Sequence, residues 1–98
     1  MKTYHEIFEV ALKKYGGEKQ TIKLFEEMAE LQDAICKSVT RRGTVDHIAE
    51  EIADVEIMLE QMKILHNCED AVERYRHEKI DRLQRRIEGE RDGRSGGI

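Results

Sequence analysis

Apolar residues recur along this chain at alternating three- and four-residue steps, the period of a helix that buries one side. Tyr4, Ile7, Phe8, Ala11, Leu12 and Tyr15 form the first such run, with Thr3 and Glu6 ahead of it in capping-box spacing and Gly16-Gly17 as its stop. A second helix is predicted from about Glu18 to about Val39, carrying Leu24, Met28, Leu31, Ile35 and Val39 as its stripe. Arg41, Arg42 and Gly43 break that pattern, and Thr44 is placed to cap a third helix over about Val45 to Leu65. Its apolar side is Val45, Ile48, Ile52, Val55, Leu59 and Met62. Asn67, with Asp70 behind it, is the expected cap of a fourth helix that carries Val72, Ile80, Leu83 and Ile87 and ends at Ile87 or Glu88, with Gly89 as its stop. The expected fold class is therefore all-α, a four-helix bundle in a single domain over residues 1–89. Residues 90–98 are charged and glycine-rich and are expected to form a flexible C-terminal tail.

Within this pattern one octet occurs twice. Leu24-Phe25-Glu26-Glu27-Met28-Ala29-Glu30-Leu31 is answered by Ile48-Ala49-Glu50-Glu51-Ile52-Ala53-Asp54-Val55, so that Glu27 matches Glu51 and Glu30 matches Asp54. With stripes of Leu24, Met28, Leu31 and Ile35 on one helix and Ile48, Ile52, Val55 and Leu59 on the other, Glu27 and Glu51 fall roughly 60° from the stripe centre. Glu30 and Asp54 fall roughly 120° away on the same side. The short connection favours antiparallel packing, which would gather all four carboxylates at one edge of the seam. Such a cluster beside a low-dielectric core needs a compensating cation or raised pKa values, and a hard, oxygen-seeking ion such as magnesium suits it best. Taken singly, an ExxE pair in a chain with 21 acids is most often a solvated helix face. The repeated position beside the core favours a site.

Composition narrows the alternatives. Thirty-nine per cent charged residues, no proline and few aromatics agree with a helical protein, and a formal net charge of −4 speaks against nucleic acid as a partner. No apolar run approaches the roughly 20 residues that cross a bilayer, so no membrane partner is expected. Cys36 and Cys68 lack CxxC spacing and the N-terminus lacks an apolar signal region, which points to the reducing cytoplasm. His5, His47, His66 and His77 read as scattered, and no Glu-x-x-His pair is present, so soft or redox metals are not expected. Gly16-Gly17 lacks the features of a phosphate loop.

The fourth helix carries charge of the opposite sign. Lys79, Arg82 and Arg86 share a face, each just before an apolar residue, and could reach phosphates or simply complement the helix C-terminus. Lys37, Arg41 and Arg42 are weaker candidates for the same work.

The paired motifs Glu27-x-x-Glu30 and Glu51-x-x-Asp54 resemble the ExxE and ExxD signature of the MazG-like, all-α nucleoside triphosphate pyrophosphohydrolases, over roughly Gly16 to Arg86. The resemblance implies a magnesium-dependent enzyme, with manganese as a substitute ion. It would cleave a nucleoside triphosphate between the α and β phosphates to give a monophosphate and pyrophosphate, a chemistry suited to clearing non-standard nucleotides. By the same resemblance Glu27, Glu30, Glu51 and Asp54 would hold the metal and form the catalytic set, and Lys79 and Arg82 would meet the phosphate chain. Assembly as a homodimer or homotetramer is also implied. The chain is short for this group, with a single copy of the module, and lacks tryptophan, so a stacked base would use Tyr or Phe. The rival readings are a non-catalytic helical interaction protein and a nucleotide sensor without turnover.

Overall fold

The computed structural model describes residues 1–89; the expected tail over 90–98 lies outside the described residues. There are four helices, α1 (Tyr4–Tyr15), α2 (Gly17–Val39), α3 (Val45–Leu65) and α4 (Glu69–Gly89), and no strand among the described residues. The first three helices form one compact unit, Met1–Asn67, and α4 belongs to a second that starts at Cys68. The fold is all-α, as the periodicity predicts, and none of the helices is long and apolar enough to cross a membrane.

The caps follow from local chemistry. Thr3 Oγ1 accepts from the Glu6 backbone N–H at 3.1 Å and Glu6 Oε1 accepts from the Thr3 N–H at 3.0 Å, completing the capping box. Those hydrogen bonds hold the Glu6 carboxyl below its usual range. Gly16 takes a φ of +90° between α1 and α2, where a side chain would be strained although space is open. Thr44 Oγ1 caps α3 by accepting from His47 N–H at 3.1 Å. Asn67 differs from expectation: it does not cap α4 but adopts a left-handed φ of +51° beyond the end of α3, a role to which asparagine is suited. The carbonyl of Cys68 instead accepts the Val72 N–H at 2.9 Å as α4 begins.

Helices α2 and α3 run antiparallel. Gln20 Nε2 donates to Gln61 Oε1 at 2.7 Å and Thr21 lies against Met62, while Glu27 meets Asp54 farther along. Leu24, Glu27 and Ala34 of α2 and Glu51, Val55, Met58 and Gln61 of α3 are the buried residues. The spacing is that of a heptad seam, in which every third or fourth residue meets the partner.

This seam is rotated from the expected one. Met28 and Ile52, expected inside, are each 42% exposed, and Ile35 and Leu59 are likewise open, whereas Glu27 and Glu51 are 6% exposed. Each helix carries a wider apolar arc than one contact can cover, so periodicity alone does not select which half faces the partner. Ala34 contributes by its size. It is fully buried and its carbonyl approaches Gly43, where an added Cβ would stand 3.3 Å from it.

Ala34→Leu should therefore lower the unfolding free energy by about 1–3 kcal/mol through overpacking. A urea titration followed by circular dichroism checks this, with an unchanged midpoint as the contrary result.

Candidate metal centre

One turn of helix separates Glu27 from Lys23 and Glu30, and one turn separates Glu51 from His47 and Asp54. Because the helices are antiparallel, the residues on one flank of the α2 seam meet those on the same flank of α3. A carboxylate oxygen from each of Glu27, Glu51 and Asp54 lies within 4.8 Å of the others. Glu27 and Glu51 reach this cluster from inside the seam, and Asp54 from its half-buried edge. Glu30 stands at the exposed rim, outside that tight group but near enough for its charge to act on Glu51.

The electrostatics are those of crowded acids. Burial pushes the Glu27 carboxyl above its usual range, and Asp54 beside it adds to the rise, partly offset by a hydrogen bond from Lys23. Burial likewise raises Glu51, with repulsion from Glu30 and Asp54 in the same direction. Lys23 Nζ lies 3.3 Å from Glu27 Oε1 and 3.8 Å from Glu26 Oε2, and that partnership raises its own pKa. Glu51 Oε2 is buried and accepts no hydrogen bond among the described residues. A buried carboxylate oxygen in that state is destabilising unless a proton or a cation meets it. The donor set is entirely oxygen at this cluster, which fits a hard divalent ion.

Sequence reasoning missed two neighbours. Lys23 and His47 sit four residues before Glu27 and Glu51 in the repeat, a spacing that already placed each on the acid's own face. His47 is thus not scattered: its Nδ1 lies 3.8 Å from Glu50 Oε1 and 3.9 Å from Glu51 Oε1. Lys79 and Arg82 lie one turn apart on α4 in the second unit, Lys79 half-buried and Arg82 exposed. Arg86 is half-buried on the same helix, and Lys37 is paired with Asp33 at 2.9 Å. No family model, curated protein or solved structure matches this chain.

The raised carboxyl pKa values carry a sign for stability. The folded state binds more protons than the unfolded state between the ordinary carboxyl value and the raised one. This contribution is full below the ordinary value and is lost as pH rises through the raised values, so the metal-free protein should melt at a lower temperature at neutral pH than near pH ~5. Replacing Glu27 and Glu51 together by leucine should raise the neutral-pH melting temperature and flatten this dependence. Differential scanning calorimetry across pH reads both effects; a double variant that melts lower at neutral pH would contradict the account.

Proposed function

We propose that the chain is a magnesium-dependent nucleoside triphosphate pyrophosphohydrolase of the MazG-like kind, with Glu27, Glu30, Glu51 and Asp54 as its metal-binding and catalytic set. The observation that carries this reading is the buried, unpartnered Glu51 Oε2 in a carboxylate cluster shared by two helices. Acids kept there against the cost of desolvation are best accounted for by a ligand that needs them. Magnesium is the first choice, with manganese as a substitute. Bound at these carboxylates, such an ion would neutralise charge developing on the phosphates and acidify a coordinated water.

The residues then divide the work. Glu27, Glu51 and Asp54 would hold the cation, with Glu30 as the fourth member of the set at the rim. Glu30, at the exposed rim, accepts a hydrogen bond from the water that attacks the α phosphorus in line, and pyrophosphate leaves. By the resemblance, Lys79 and Arg82 would meet the phosphate chain as charge-assisted donors. Lys23 holds Glu27 in position through their ion pair.

The rest of the molecule supports assembly and setting. Met28, Ile35, Ile52 and Leu59 stand open on the flank of the seam opposite the acids, and among the described residues only Leu24, Ala34, Val55 and Met58 form the buried apolar core. A core this thin gains from burial against a second copy, so a homodimer or homotetramer is the proposed state. Free Cys36 and Cys68 suit the cytoplasm. The exposed apolar flank also favours, as a second reading, a non-catalytic helical interaction protein.

Incubation with a panel of ribo- and deoxyribonucleoside triphosphates and magnesium, followed by product separation, should give monophosphate and pyrophosphate. Glu51→Gln should lower turnover by about a hundredfold or more. Lys79→Ala and Arg82→Ala should each raise KM by roughly tenfold. Release of orthophosphate would refute the proposed scissile bond, binding without turnover would indicate a nucleotide sensor, and absence of both binding and turnover would favour the interaction protein.

A further inference from the structure

We propose that His47 is a ligand of a cation held at Glu51, supplying an imidazole nitrogen that lets a first-row transition ion such as manganese or zinc compete with magnesium there. The inference rests on the reading that the acids hold a divalent cation, and it adds a nitrogen donor to the oxygens that choose among such ions.

Three observations carry it. One donor atom from each of His47, Glu50 and Glu51 lies within 4.8 Å of the others, and Glu51 is also a member of the Glu27 and Asp54 cluster. Glu51 is therefore the residue at which an all-carboxylate group and a group containing imidazole meet. Second, the His47 Nδ1 separations of 3.8 Å to Glu50 Oε1 and 3.9 Å to Glu51 Oε1 are too long for hydrogen bonds. Two donors each ~2.1 Å from one ion can stand up to ~4.2 Å apart, so both separations fit a shared cation. Third, Glu51 is 6% exposed and its Oε2 has no partner, which leaves the common member of both groups with unused acceptor capacity in a buried place.

The chemical consequence follows from ligand type. Magnesium prefers carboxylate and water oxygens, whereas imidazole nitrogen raises affinity along the first-row transition series. The side chain of His47 takes no part in capping α3, because Thr44 Oγ1 is met by the His47 backbone N–H. Substitution of His47 consequently removes the imidazole without removing the cap.

Manganese is the probe, because it is paramagnetic. In the full chain at neutral pH, pulsed electron paramagnetic resonance of bound manganese should show modulation from a coordinated imidazole nitrogen. The modulation should vanish in His47→Ala and survive in His66→Ala. Manganese affinity should fall by roughly tenfold or more in His47→Ala, while magnesium affinity, measured by calorimetry, changes by less than about twofold. Saturable manganese binding without nitrogen modulation, or modulation that survives His47→Ala, would overturn the role of His47 and leave the carboxylate site standing. If neither ion binds saturably, both readings fall.

Discussion

Placing carboxylates in an apolar helix seam is the constraint on which the rest of this structure depends. Glu27 and Glu51 occupy positions where a leucine or isoleucine would continue the packing of Leu24, Val55 and Met58. Desolvation disfavours their charged forms, and their mutual proximity with Asp54 disfavours them further. Lys23 offsets part of this at Glu27, but Glu51 keeps an oxygen with no hydrogen-bond partner. Stability alone gives no reason for that arrangement, because apolar replacements for buried charges are often neutral or favourable.

The burial of the acids also sets the arrangement around them. Rotating Glu27 and Glu51 into the seam turns Met28, Ile35, Ile52 and Leu59 out of it. The antiparallel pair therefore has one flank of charge, with Glu30, Asp54, Lys23 and His47, and an opposite flank of exposed aliphatic side chains. The same rotation thus accounts for a polar cluster and for an apolar surface that a second copy could cover. Gln20 and Gln61 mark the end of the seam near α1, where a part-buried amide pair hydrogen-bonds across the helices and the Leu65 side chain packs close to the Gly17 backbone.

Much of the local structure was legible in the chain. The Thr3 and Glu6 capping box, the glycine break at Gly16 and the Thr44 cap depend on residues within one helical turn, and each forms as expected. Asn67 departs from expectation because asparagine serves both at the start of a helix and in the left-handed position after one, and here it follows the preceding helix. The repeated acids were legible as a pair of equivalent positions, and the antiparallel order of the helices followed from the short connection. Their burial was not. A helical wheel places Glu27 near the edge of a broad apolar arc, and only the partner helix decides whether that edge lies inside the contact. The four histidines share no spacing with one another, but His47 stands four residues before Glu51, which places it on that acid's own face.

The sequence by itself determined four helices, the caps of α1 and α3 and the shared face of each acid pair, because these follow from interactions spanning one turn. Tertiary structure decided the rotation of α2 against α3, the burial of Glu27 and Glu51, and the meeting of Glu27 with Glu51 and Asp54 across the seam. The physical reason is that each helix has more apolar surface than one seam can bury. The choice between its possible faces rests on how the buried side chains of the two helices fit together across the contact, and no single helix contains that information.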